Sequence, residues 1–301
     1  MTSLLQSYDT ETNLNRFADI ETWESESILS AICDSQVEAL LAVRKSLPAI
    51  AAAAAACLVG LQAGGRLIYA GAGTSGRIGV QDGAELPPTF GWPPDRLVLL
   101  IAGETAALTQ AVENAEDDIE AAHAAAEVHD IRPNDVVIGL AASGSTPFTL
   151  ALLQAARVRG AITIALSNVA NGAILSAAAC PILVETGPEV IAGSTRMKAG
   201  TAQKVVLNML STLVMIRLGH VYQGLMVDMQ ARNAKLRRRA VRMLMQITGA
   251  DEAAIAAALA TTDGQVKPAV LVLNGITAAQ AETALRKHNG HLGPALAELR
   301  R

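Results

Sequence analysis

Two short stretches carry residue types suited to holding a phosphate. In Leu67-Ile-Tyr-Ala-Gly-Ala-Gly-Thr-Ser-Gly-Arg-Ile-Gly79 an apolar, β-branched run ends in glycines that flank Thr74-Ser75, and the chain then resumes helical spacing. A strand that feeds a glycine-rich turn at a helix N-terminus gathers unpaired backbone N–H groups and the positive end of a helix dipole. The loop lacks the Gly-Lys-Ser/Thr close of a Walker A motif. Gly71, Gly73 and Gly76 fit the dinucleotide fingerprint by spacing alone, but the hydroxyl pair inside the turn suits a single phosphate better than a flat pyrophosphate. Ala142-Ser143-Gly144-Ser145-Thr146-Pro147 repeats the pattern, with Pro147 at a favoured first-turn position. Taken alone, that second stretch reads equally as a capped helix start. Two such turns in one sheet point to a phosphate site made by Gly73, Thr74, Ser75, Gly76, Ser143, Ser145 and Thr146.

Carboxylates are the remaining candidates for chemistry. The five histidines form no HExxH or HxH pattern, so no metal site is expected, and no GxSxG nucleophile elbow occurs. Glu85 lies in Gln81-Asp-Gly-Ala-Glu-Leu-Pro-Pro-Thr-Phe90. The two prolines are expected to end its helix just beyond it. A carboxyl against the negative helix end, beside Leu86 and Phe90, would favour its protonated form and suit a general acid. Glu116 has Val112 and Ile119 as helical neighbours, which places it at the border of an apolar stripe; a solvated side chain is the plainer reading. Ser194, Thr195, Arg196 and Lys198, in Gly193-Ser-Thr-Arg-Met-Lys198, read as a helix N-cap with two flanking charges.

The elements that must position these groups follow from the apolar pattern. Half of the 301 residues are hydrophobic and 3% are aromatic, with alanine dominant, so a helix-rich α/β domain plus a smaller module is expected. Strand-like, largely apolar runs at Leu67–Ala70, Leu97–Ala102, Asp135–Ala141, Ile162–Ser167 and Ile182–Glu185, with helical spacing over Ala106–His129 and Pro147–Arg159, predict a parallel sheet covered on both faces. Ligands bind outside the C-terminal strand ends of such sheets, which sets both turns and Asn168 on one rim. The division expected is 1–55 for an N-terminal arm and two helices that break near Ser46-Leu-Pro48, 56–246 for the α/β domain with long C-terminal helices, and 247–301 for a small helical domain. The arm carries Thr10-Glu-Thr-Asn-Leu-Asn15 and is expected to dock on a partner subunit.

Charge and cysteine usage exclude several partners. A net charge of −4 gives no sign of affinity for nucleic acid. Arg232, Lys235, Arg237, Arg238, Arg239 and Arg242 form a basic cluster without interleaved aromatics, which reads as a solvated or ion-pairing helix face. Leu47–Leu61 is shorter than the roughly 20 residues a membrane span needs. Cys33, Cys57 and Cys180 are scattered, as in reduced thiols of a cytoplasmic protein.

Gly71-Ala-Gly-Thr-Ser-Gly-Arg, Glu85-Leu-Pro-Pro-Thr-Phe-Gly, Glu113-Asn-Ala-Glu-Asp-Asp, Ala142-Ser-Gly-Ser-Thr-Pro-Phe and Gly193-Ser-Thr-Arg-Met-Lys-Ala-Gly-Thr-Ala-Gln-Lys together resemble the N-acetylmuramic acid 6-phosphate etherases, in family order from about Thr10 onward. The resemblance implies a three-layer αβα sandwich with a five-stranded parallel sheet (the sugar isomerase, or SIS, fold), a small C-terminal helical domain similar to ubiquitin-associated modules, and a homodimer. It implies cleavage of a D-lactyl ether on a phosphosugar without metal or redox cofactor, with Glu85 as acid and Glu116 as base. It also places Ser194, Arg196 and Lys198 near the sugar phosphate, with Arg196 or Lys198 meeting the lactyl carboxylate. Ala84 and Leu86 depart from the family's common Ser-Glu-Cys-Pro-Pro, at positions the chemistry does not require. A sugar-phosphate isomerase and a non-catalytic sugar-phosphate sensor are the alternatives on the same fold.

Overall fold

Two helices lead into the first strand because a serine and a proline interrupt one long apolar period. α1 spans Ser25–Lys45 and α2 Leu47–Gln62, with Pro48 in the first turn of α2. The computed structural model describes residues 10, 12, 14–229 and 234–300. Glu11, Asn13 and Arg232, named above, lie outside them. Contacts divide the chain into two compact units: the described residues up to Gly83 with Asp95–Ser211, and Ala84–Pro94 with the described residues from Thr212 onward.

The first unit is built on β1 (Leu67–Gly71), α3 (Gly73–Phe90, which continues into the second unit), β2 (Leu97–Ile101), α4 (Ile119–Val128), β3 (Val136–Ala141), α5 (Pro147–Val158), β4 (Ile162–Ser167), α6 (Ala173–Ala177), β5 (Cys180–Leu183) and the start of α7 (Lys198–Arg217). The five strands pair in parallel in the order β2-β1-β3-β4-β5. β1 and β3 are buried along their whole length, which is why they read as continuous apolar runs. Ala122 and Ala126 of α4, Phe148, Ala151 and Leu152 of α5 and Ile174 of α6 pack on one face against Ile68, Val137 and Ala165. α2 covers β3, β4 and β5 on the other face, and Gly79 and Gly83 of α3 lie against the Tyr69 ring. The expected sandwich and five-stranded parallel sheet are therefore present.

Several boundaries differ from expectation. β5 begins two residues early, at Cys180. The long helix expected over Ala106–His129 is three pieces, with 3-10 turns at Glu104–Leu108 and Ala115–Asp117 before α4. Asn114 adopts a left-handed conformation (φ 59°), which breaks the helical run, and the Asp118 carboxylate accepts the Ala121 N–H at 2.8 Å to start α4 afresh. The prolines at 87 and 88 do not end α3, which runs to Phe90.

In the second unit the end of α7 is followed by a hairpin, β6 (Val221–Tyr222) and β7 (Leu225–Met226), turned by Gln223 and Gly224 at φ 49° and 74°. α8 (Ala234–Thr248), α9 (Glu252–Thr261), α10 (Val266–Leu273), α11 (Ala278–Lys287) and α12 (Leu292–Leu299) then share one apolar core that joins Val227, Met243, Ile255, Val270 and Leu296. The α8 basic residues at 235, 237, 238, 239 and 242 are exposed, as a solvated face requires. α7 is long and apolar enough to cross a membrane, but about half of it is buried in the protein and it carries buried Gln203 and Ser211.

Candidate functional site

The strand order creates a topological switch between β1 and β3: from β1 the chain moves outward to β2, then returns to the other side of β1 for β3. The carboxyl ends of two such neighbours frame the crevice where open α/β sheets take ligands. Both hydroxyl turns sit there, since Gly71 pairs with Leu140 at the strand ends. Gly73, Thr74 and Ser75 form the first turn of α3, and the Gly76 N–H already bonds to Ala72 O at 2.9 Å. Gly73 is exposed and Thr74 half-buried, whereas Ser75 is buried.

The second turn is held rigidly from behind. Gly144 has φ +73°, and a β carbon there would stand 2.5 Å from Gly172 Cα and 2.6 Å from Ser167 Oγ. Its carbonyl accepts the Ile174 N–H at 3.0 Å. Only glycine fits this position. The flanking Ser143 and Ser145 are exposed and bonded to each other, Oγ to Oγ at 3.2 Å. Thr146 is the N-cap of α5 and makes no side-chain cap bond; because Pro147 lacks an N–H, the first amide of that helix is Phe148's.

The α7 start adjoins the α3 start. A side chain on Gly200 would meet Thr195 O at 3.2 Å and Thr74 Cγ2 at 3.6 Å. Ser194 and Arg196 lie in the loop that leads into α7, and Arg196 is exposed. Lys198 is 2% exposed, and its ammonium meets Glu38 of α1 at 3.2 Å. The N-terminal arm reaches the same loop, since Gly193 N–H donates to Thr10 O at 3.0 Å.

Sequence reasoning missed three residues that build this rim, Glu189, Arg77 and Asp82, and placed a fourth, Asn168. Buried Glu189 accepts the Lys198 and Ala199 N–H groups, each at 2.9 Å, and so caps α7. Burial pushes its carboxyl above the ordinary range, against the pull of those amides and of Lys198. Arg77 donates to the carbonyls of Ala107 and Gln110, both at 2.8 Å, and ties α3 to the loop that leads to Glu116. Asp82 accepts from Tyr69 Oη at 2.7 Å and Asn208 Nδ2 at 2.6 Å, which joins β1, α3 and α7. Asn168, placed on the rim by its position after β4, bridges Gln203 Nε2 and Val184 O at 3.1 Å each.

The two glutamates stand in settings different from those expected. Glu116 is on the 3-10 turn Ala115–Asp117, exposed, and that turn packs on α5, the helix launched by Ser143–Thr146. Glu85 is exposed on α3 inside the helix, while Leu86 and Phe90 turn inward and bury. It belongs by contacts to the second unit.

Comparison with known proteins finds relatives in sequence and in fold. The model of the glucokinase regulatory protein N-terminal SIS domain matches residues 49–157. An N-acetylmuramic acid 6-phosphate etherase from Deinococcus radiodurans is 47% identical over 94% of this chain and 93% of its own length. One from Symbiobacterium thermophilum is 52% identical over 88% of each. Among solved structures, a Bacteroides fragilis protein involved in capsule formation aligns with TM-score 0.50 at 19% identity, over 65% of this chain and 94% of its own, and shares the fold.

Proposed function

The chain belongs to the N-acetylmuramic acid 6-phosphate etherase family, and from that premise we propose that Glu85 and Glu116 divide the acid and base work of ether cleavage. The enzyme is a carbon–oxygen lyase that removes D-lactate from N-acetylmuramate 6-phosphate and leaves N-acetylglucosamine 6-phosphate. In the open-chain sugar C1 is an aldehyde, which acidifies the C2 proton. Glu116, ionised, takes that proton. Glu85, protonated, gives its proton to the lactate oxygen as the bond from C3 breaks, which yields an unsaturated aldehyde. Glu85, now a carboxylate, accepts a proton from the water that adds at C3, and Glu116 returns its proton to C2. Both groups end as they began, so the two carboxylates close the cycle.

The phosphate falls to the turns after β1 and β3, and their place at the switch point is the observation that carries this reading. Ser143, Ser145, Thr146 and Thr74 supply hydroxyls, with Gly73, Ser75 and Gly76 shaping the α3 turn; Ser194 borders it. For the lactyl carboxylate the environment favours Arg196, since Lys198 is buried on Glu38. A homodimer fits the exposed apolar stripe of Leu29, Val37, Leu40 and Leu41 on α1, which a second copy would cover. The three free thiols suit a cytoplasmic location.

Release of D-lactate from N-acetylmuramate 6-phosphate tests the activity. Glu85→Gln and Glu116→Gln should each lower it by more than about 100-fold, the scale of one acid–base group. Near-normal rates in both variants would defeat the two-carboxylate assignment.

A further inference from the structure

Glu85 sits on a helix segment whose own hydrogen bonding is incomplete. Pro87 and Pro88 have no N–H, so the carbonyls of Gly83 and Ala84, which flank Glu85 on its N-terminal side, lose their usual helical donors. Support for the end of α3 from outside the helix therefore matters, and Ala84–Pro94 groups by its contacts with the C-terminal unit.

Those contacts converge on one charged cluster. Gly91 ends the helix in the left-handed region (φ +67°) and donates to Pro87 O at 3.0 Å. A β carbon on Gly91 would stand 2.2 Å from the Asp228 carbonyl oxygen. Trp92, 2% exposed, sets its ring edge-on to His220, with centroids 6.0 Å apart. His220 and Asp228 flank the hairpin, where Val227 N–H donates to His220 O at 3.1 Å. The Asp228 carboxylate is gripped by Lys267 Nζ of α10, whose side chain is 7% exposed. His220 Nδ1 approaches the same oxygen at 2.8 Å, off the line a hydrogen bond needs. Behind Lys267, the His291 ring packs on Gly219.

We propose that Lys267 is a positioning residue for Glu85. By holding the Asp228 carboxylate it fixes the Asp228 carbonyl against Gly91 and the His220 ring against Trp92, and so sets the last turn of α3 beyond the glutamate. This rests on the assignment of Glu85 as acid. Stability alone would not require a charge here, because apolar replacements of buried ion pairs are often neutral or stabilising. The ion pair supplies a defined direction, which an acid aimed at one ether oxygen needs.

The test uses the full-length protein in deuterium oxide with N-acetylmuramate 6-phosphate, and measures lactate release and deuterium uptake at C2 of recovered substrate. Lys267→Met should lower kcat for lactate release at least 10-fold and leave KM within twofold. Exchange at C2, the work of Glu116, should persist within threefold. Lys267→Arg should recover most of the loss, and Asp228→Asn, which keeps the side-chain shape, should show the same split if the methionine variant fails to fold. Lactate release within twofold of wild type in Lys267→Met, or an equal fall in release and exchange, would overturn the proposal. Glu85→Gln run alongside separates the two ideas. If it is inactive in lactate release while Lys267→Met is normal, only the positioning role fails. If it releases lactate normally, the acid assignment fails and the positioning role with it.

Discussion

Glu189 accepts two hydrogen bonds from the start of α7, at the amides of Lys198 and Ala199. The helix end beside the crevice is thus already occupied by a carboxylate of the same chain. For the proposed phosphate that leaves the α5 start, where Thr146 makes no side-chain cap bond, beside the α3 turn. Glu189→Ala should strand two buried N–H groups and cost about 2–4 kcal/mol, read by urea denaturation. A loss below about 1 kcal/mol would show that the cap is dispensable.

Ser143→Ala and Ser145→Ala should weaken binding of phosphorylated sugar by roughly 10- to 100-fold each, the worth of one charge-assisted hydrogen bond at about 1.5–3 kcal/mol. Affinity for the unphosphorylated sugar should not change. Calorimetric titration with N-acetylglucosamine 6-phosphate against N-acetylglucosamine reads the difference directly.

Arg196 and Lys198 should separate cleanly. Arg196→Met should raise KM for N-acetylmuramate 6-phosphate about 10-fold or more, while inhibition by N-acetylglucosamine 6-phosphate, which lacks the lactyl group, stays the same. Lys198→Met should instead act through its contact with Glu38, and shift KM and the inhibition constant together.

Asp135 gives the chain a measurable acid response. Burial would raise its carboxyl, but the Arg66 guanidinium and the amides of Arg66 and Arg132 hold it below the ordinary range. A carboxyl depressed in the folded state contributes stability above its unfolded pKa and loses it as pH falls through the folded value. Asp135→Asn should therefore cost about 2–4 kcal/mol near neutral pH, trimmed by the partial exposure of Arg66. Its gap to wild type should close below the ordinary carboxylate range, as followed by thermal melts across pH.

The sheet and the two hydroxyl-rich turns at its strand ends were legible because buried parallel strands are largely apolar, and because Ser, Thr and Gly cluster where such strands end. Glu116 was misplaced because periodicity through Val112 and Ile119 mimics a helix, while the left-handed Asn114 and the Asp118 cap that break it leave only a weak trace. Two prolines after Glu85 argued for a helix end, yet contacts at Gly91 and Trp92 carry α3 past them. Glu189 and Asp82 were invisible for a simpler reason: their partners lie in other elements, and one sequence holds no record of long-range hydrogen bonds.

The strand order also sets a timetable. β1 needs β2 on one side and β3 on the other, and β3 does not begin until Val136. During synthesis at about 5–20 residues per second, the β3-facing edge of β1 stays unpaired for several seconds after Gly71 has been made. A hydrophobic strand with an open edge is the form of chain most prone to associate with its neighbours. The nascent enzyme is thus most vulnerable to aggregation before β3 has been made, and a delay between codons 71 and 136 should lower its soluble yield more than one after codon 183.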